Sequence, residues 1–304
     1  NTDFATPVAD SILYGGILGG FTSPTGYGFE ARFGLSELGP LQGYVQVDAP
    51  VVLDPVSGLA ITGFRAGVTF NSTLPEITDP RDLEDDAFSP QSELSLSDWQ
   101  RQLESAVIAQ ASNPPGSFTD AVNAPMIFEG GATIYSIYAT TNAFEADADL
   151  IIDTEGRIVI DADVSFGGND VLSIAMRMYG DFSDVDDGAG TLLFFMERPA
   201  SNIAPPVQTI YGSLQFVFGG ELTGDADAPA NEFQMIITGG YEINALDVTS
   251  LLIEGQLTLT FINEQSFSVE VDGTASVEPL GELVAVAGKI NVDFSSRFRF
   301  ETTV

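Results

Sequence analysis

Apolar side chains recur at every second position along most of this chain, and that period makes the β-strand its main element. Phe29, Ala31, Phe33 and Leu35 alternate with Glu30, Arg32 and Gly34, and Val45, Val47 and Ala49 continue the pattern. Val51 to Leu53 follow, and the turn Asp54-Pro55-Val56-Ser57-Gly58 leads into a further run from Ile61 to Phe70. From Met126 to Phe300 the same texture predicts strands at 132–139, 143–152, 157–166, 171–180, 191–198, 208–220, 232–242, 250–262, 266–277, 283–294 and 296–302. The connections are short, as antiparallel neighbours allow. Leu192 to Met196 is apolar at every position, which predicts a central strand between packed layers. Ile12 to Phe21 is apolar but broken by glycine and lacks the basic flank of a signal peptide. It reads as a loop or edge strand, and the chain from Asn1 as a mature product or an excised segment.

Residues 74–124 break the alternation. Asp79-Pro80 opens a charged stretch through Asp82 to Asp86 that ends near Pro90. A helix is expected at 97–111. Ser97 and Gln100 form a capping box, Asp98 sits in the first turn, and Trp99, Leu103, Ala106, Val107 and Ala111 recur at helical spacing. Asn113-Pro114-Pro115-Gly116 stops it. Trp99 and Leu103 are expected to cover one face of a sheet. The predicted fold is all-β, an antiparallel meander forming a two-layer sandwich or flattened barrel with this helix packed on it. It reads as one elongated domain over 1–304. A subdivision would give an N-terminal β segment at 1–73, a loop–helix insert at 74–124 and a C-terminal meander at 125–304.

Composition removes several function classes. Forty-four carboxylates face ten cations, for a net charge of −34, and Lys289 is the only lysine. Nucleic-acid binding needs a basic face and is excluded, and adsorption to anionic membrane surfaces is disfavoured. The chain has no cysteine and no histidine, so the commonest general base and the usual zinc and copper ligands are missing. No stretch approaches the roughly eighteen apolar residues of a spanning helix. Gly26-Tyr27-Gly28-Phe29-Glu30-Ala31 matches a dinucleotide loop in spacing, but a strand pattern follows where a helix is required. Asn71-Ser72-Thr73 fits a glycosylation sequon, which means little here. Paired carboxylates alone do not make a hydrolase in so acidic a chain, and no enzymatic activity is expected.

The acids themselves are patterned. In the hairpin around Asp153-Thr154-Glu155-Gly156-Arg157, Phe144, Ala146, Ala148, Leu150 and Ile152 share one face with Ile158, Ile160, Ala162, Val164 and Phe166. A loop from Thr154 to Gly156, with Gly156 in a left-handed bulge position, then sets Asp149 opposite Asp161 and Asp147 opposite Asp163. Like charges about 5 Å apart repel by roughly 1 kcal/mol in water and about 3 near a protein surface. Something should offset this. Arg177 falls opposite Asp161 if the apolar faces of the next strand match, and a bound Ca²⁺ could neutralise more of the acids, the alternative being a solvated acidic face tolerated in salt. The metal candidates are therefore Asp147, Asp149, Asp161 and Asp163, with Asp184 and Asp186 in the loop Asp184 to Gly188. Asp225 and Asp227 form a similar short pair. The hairpin 251–262/266–277 avoids like charges, pairing Thr258 with Glu270 and Gln256 with Asp272. Arg297 and Arg299, two of the few cations, share a face of the last strand. They are candidates for an interface that docks another copy, with pairing to Asp293 or Glu301 as the alternative.

Three functional readings result. The first is a structural, assembly or adhesion domain of an acidic extracellular or cell-surface protein, ordered by Ca²⁺ and partnered by copies of itself or by neighbouring β domains. The second is a module holding a lipid or other small apolar ligand near Phe216, Phe218, Leu257 and Leu259. The third is an outer-membrane-type β-barrel, which one Trp, eight Tyr and no terminal aromatic count against.

Overall fold

A computed structural model of the chain describes residues 12–24, 27–56, 58–83, 94–112, 114–117, 119–120, 123–137, 144–167, 172–184, 189–199, 206–218, 233–245, 248–263, 266–277, 281–293 and 299–303. Strands dominate them and one long α-helix accompanies them, so the fold is all-β. The chain divides into two compact units, Asn1–Pro75 with Asp86–Val164, and Glu76–Asp85 with Ser165–Val304.

The first unit contains β1 (Tyr14–Thr22), β2 (Gly28–Ser36), β3 (Gly39–Asp48), β4 (Val51–Asp54), β5 (Leu59–Phe70), β6 (Met126–Ser136), β7 (Glu145–Asp153) and β8 (Arg157–Phe166) up to Val164. They lie in the order β1-β2-β3-β5-β6-β7-β8, with β4 beside β5. The second contains β9 (Leu172–Asp181), β10 (Ala189–Arg198), β11 (Val207–Phe218), β12 (Phe233–Ala245), β13 (Val248–Asn263), β14 (Ser266–Val277), β15 (Gly281–Asp293) and β16 (Arg299–Thr303), side by side in chain order. This is the expected antiparallel meander. β8 and β14 have the bounds that alternation and turn residues predict, and the β13/β14 register sets Gln256 opposite Asp272 and Thr258 opposite Glu270, as expected. Gly156 has φ +100°, the left-handed conformation that the turn after β7 asks for. The stretch around Ile12 to Phe21 resolves as an edge strand, since β1 pairs only with β2 among the described residues. β16 likewise pairs only with β15.

α1 spans Leu96–Ser112, one residue longer at each end than expected, and its cap is shifted. Ser95, not Ser97, caps it. The Ser95 hydroxyl accepts from the Asp98 backbone N–H at 3.2 Å, and the Ser95 carbonyl accepts from Trp99 N–H at 2.9 Å. Ser-x-x-Asp at 95–98 makes the reciprocal box, because the Asp98 carboxylate reaches back to the Ser95 hydroxyl. Trp99, Leu103 and Val107 pack with Leu41 of β3 into the core of this unit. Two strand glycines make room for them. A Cβ on Gly16 would strike the Trp99 ring, and one on Gly34 would strike Leu103. Gln110 closes the contact, accepting from the Ser36 hydroxyl at 2.6 Å and donating to the Pro40 carbonyl at 3.4 Å.

The two faces of each sheet differ sharply. In the second unit, cross-strand rows such as Leu192–Leu214–Ile237–Leu257–Val271 and Met196–Ile210–Tyr241–Ile253–Ala275 run across successive strands. A third, Phe194–Gly212–Gly239–Gly255–Gly273, lies between them on the same face. None contains a charge. The intervening rows, such as Ser213–Thr238–Gln256–Asp272, are largely polar. The first unit repeats the scheme, with Phe33–Gly43–Val68–Phe128–Ile152 on one face and Glu30–Gln46–Arg65–Gly131–Asp149 on the other. α1 packs on the polar face, where Gly34 and Gln42 lie, and its Gln102 accepts from Gln42 at 2.9 Å. The apolar face carries the exposed side chains, among them Phe33, Phe128, Leu150, Phe194, Ile237 and Val271.

Candidate functional site

On β7 this inverts the simplest expectation, that the aspartate face meets solvent. Asp149, Ile151 and Asp153 are buried, whereas Leu150 between them is 42 % exposed. A carboxylate can be buried only if a charged partner or several hydrogen-bond donors satisfy it. For Asp149 the donor is Arg65 of β5, 8 % exposed, which donates to Asp149 through Nε at 2.5 Å and Nη2 at 2.6 Å. Nη2 also reaches Asp147 at 2.8 Å, and the Thr133 hydroxyl donates to the same Asp147 oxygen at 2.9 Å.

β6 lies between β5 and β7, and the register explains how the arginine crosses it. Arg65 is opposite Gly131, and Gly131 is opposite Asp149. Any Cβ at 131 would stand 2.5 Å from Arg65 Nε and 2.7 Å from the Ala148 carbonyl oxygen. Glycine leaves the passage open. Burial works against the Arg65 charge, but the hydrogen bonds it donates to Asp149 and Asp147 outweigh it and move its pKa up.

Asp153 has a separate structural task. Its Oδ1 accepts from the Arg157 N–H at 2.8 Å and the Glu155 N–H at 3.0 Å, and its Oδ2 accepts from the Leu74 N–H at 3.0 Å. It closes the β7–β8 turn and ties the chain leaving β5 to it.

The second unit repeats the crossing device with an aromatic. Tyr211 of β11 is opposite Gly240, which is opposite Glu254 of β13. The ring occupies the space a Cβ on Gly240 would need, and the phenol donates to Glu254 at 2.7 Å. Arg81, in a single 3-10 turn at Pro80–Leu83, lies over this ring with its guanidinium carbon 4.5 Å from the centroid, and hydrogen-bonds both the phenol and Glu254. Burial, then the hydrogen bond to Glu254, pushes the Tyr211 pKa up to about 12. Arg177 anchors the end of the same turn, donating to the Leu83 carbonyl at 2.8 Å. Between this turn and the polar face of β11–β14 lies a cavity of about 830 Å³, lined by Ser213, Thr238, Gln256, Thr258 and Thr274 beside the carboxylates Glu254, Glu270 and Asp272.

Of the expected metal residues, Asp147 and Asp149 are brought together, by Arg65. Asp161 is half-buried, Asp163 and Asp184 are exposed, and Asp186 lies outside the described residues. Among the described residues no group of three or more carboxylates is arranged to hold a metal ion. Arg297, Asp225 and Asp227 lie outside the described residues, while Arg299 is in register with Asp293. Phe216, Leu257 and Leu259 occupy apolar rows, on the face opposite the cavity. Sequence reasoning missed Arg65, Tyr211 and Arg81. The one signal for the first two is a glycine interrupting a polar row, at 131 and at 240. No helix among the described residues is long and apolar enough to cross a membrane. Comparison with family models, curated proteins and solved structures gives no match.

Proposed function

We propose that the chain is an outer-membrane-type β-barrel protein whose apolar face meets lipid and whose polar face lines a water-filled interior that passes small polar solutes. One observation carries the reading, the distribution of everything other than strand. Among the described residues the helix, the 3-10 turn and the buried ion pair all lie on the polar face, and the apolar face is left bare. In the second unit that bare face extends over seven strands, β9 to β15, and at least three uncharged rows. At about 4.8 Å between strands and about 6.7 Å between rows, it covers roughly 650 Å². The largest apolar patch on a typical soluble monomer is about 300–600 Å².

Strand length fits the same setting. Crossing the hydrocarbon layer takes about 9–11 tilted residues. Apart from β4 and β16, the strands run from 9 to 16 residues. The scarcity of tryptophan and tyrosine is partly met by phenylalanines on the apolar face, including Phe29, Phe33, Phe64, Phe128 and Phe194. In lipid every backbone group needs a partner, so the edges β1 and β16 would each have to be paired. This reading places the protein at a cell surface and replaces adhesion as its task.

The test is purification with and without detergent, then reconstitution into planar bilayers. The expected results are aggregation without detergent, a discrete species in it, and stepwise conductance in the bilayer. A chain that stays folded and monodisperse in detergent-free buffer overturns the reading.

A further inference from the structure

We propose that the cavity under Arg81 in the second unit binds an uncharged, polyhydroxylated solute of oligosaccharide type. The proposal rests on the polar face being the wet one, as in the function above. It goes further by naming the solute class.

At about 830 Å³ the cavity is in the size range of small-molecule sites, and its walls mix apolar surface such as Ile236 with an unusual density of polar side chains. Four adjacent strands each present alternate residues to it. Ser213, Thr238, Gln256, Thr258 and Thr274 carry hydroxyls or amides that both donate and accept. Several already touch one another, Ser213 with Thr238 at 2.7 Å and Gln256 with Thr258 at 3.1 Å, which aligns them without exhausting their lone pairs. A partner with many hydroxyls matches such a surface, because each hydroxyl also donates and accepts. A purely cationic partner would leave the donors unused.

Charge points the same way. Glu254 is held by Arg81, and Glu270 by Lys289 at 3.1 Å. The carboxylates here are thus partly neutralised, in a chain where acids outnumber cations forty-four to ten. Carboxylates held in place beside amides and hydroxyls accept from pairs of neighbouring hydroxyls, and Arg81 supplies charged donors at the mouth.

The experiment is isothermal titration of the full-length chain in detergent with maltotriose, with spermidine as the cationic comparison. Maltotriose should bind, and spermidine should not displace it. The double substitution Gln256→Leu with Thr258→Val removes two polar partners from the cavity wall, one exposed and one half-buried, and should weaken maltotriose at least about tenfold. Thr274→Val is the single-site check, and circular dichroism confirms that each variant keeps its strands. Absence of maltotriose heat, while wild type still conducts ions in a bilayer, would overturn the solute site and leave the membrane function standing. Spermidine binding in place of maltotriose would overturn it in favour of a cation site. Maltotriose affinity unchanged in both variants would show that the sugar binds elsewhere, and would overturn it too.

Discussion

Gly131→Ala should be one of the most damaging small substitutions in the chain, although alanine is normally the better strand residue. In an unconstrained strand, replacing glycine by alanine gains roughly 0.5–1 kcal/mol by restricting the unfolded chain. At 131 the new methyl would stand 2.5 Å from Arg65 Nε and 2.7 Å from the backbone oxygen of Ala148. The carbonyl belongs to the ladder and cannot move cheaply, so the Arg65–Asp149 pair must open. Separating a buried pair costs about 3–5 kcal/mol, since each charge is left without its partner. The expected net loss is therefore about 2–4 kcal/mol. Trp99 is the only tryptophan, is 4 % exposed, and belongs to the same unit as the pair. Its emission during urea unfolding reports this loss, and with a slope near 3 kcal/mol per molar the midpoint falls by about 1 M. The adjacent glycine is the control. A Cβ on Gly130 meets nothing nearer than the Arg65 carbonyl at 3.9 Å, so Gly130→Ala should be neutral or slightly stabilising. The crossing argument fails if Gly131→Ala stays within about 0.5 kcal/mol of wild type, or if Gly130→Ala costs as much. A cycle adds a second check, since Arg65→Met and Asp149→Leu should each destabilise strongly and their combination much less.

Because Arg65 already holds Asp149, Asp149→Asn should lower the unfolding midpoint in calcium and in chelator alike; a rise in chelator would show the acids repelling one another instead. Asp153→Ala removes the acceptor of three backbone N–H groups and should cost about 3 kcal/mol or more by the same tryptophan assay; a loss under about 1 kcal/mol would mean water replaces it without penalty. In a Trp99→Phe background reconstituted with brominated lipid, emission should be quenched in Ile237→Trp and not in Gln256→Trp, and equal quenching would refute the assignment of the two faces. The Tyr211 phenol is raised from 10.0 to about 12. The folded state therefore keeps this proton longer than the unfolded chain, and the stability it contributes is present below pH 10 and lost as pH rises through about 12. Absorbance of phenolate during an alkaline titration should lose one component near pH 12 in Tyr211→Phe, while the still later Tyr44 remains, and an unchanged profile would contradict this.

Much of the architecture is legible in the residues because it is local. A period of two, cut by Gly, Asp and Pro, locates strands such as β8 and β14, and a three-residue turn carrying Gly156 sets how β7 enters β8. The helix is equally local, and only its cap moved, from Ser97 to Ser95, because two Ser-x-x-polar boxes overlap and the one ending in a carboxylate prevails. Alternation also says that the two faces of each strand differ. It does not say which of them meets water, because Leu150 beside Asp149 is the same string whether solvent or lipid lies on the apolar side. Only the tertiary structure shows that α1 packs on the polar face. The sites were further out of reach. Arg65 and Asp149 are 84 positions apart and Arg81 and Glu254 are 173. Each pair meets only when intervening strands take one register out of several, and a slip of one residue would turn every side chain to the other face. The glycines at 131 and 240 were visible from the start. What they leave room for was decided by the ladders on either side of them.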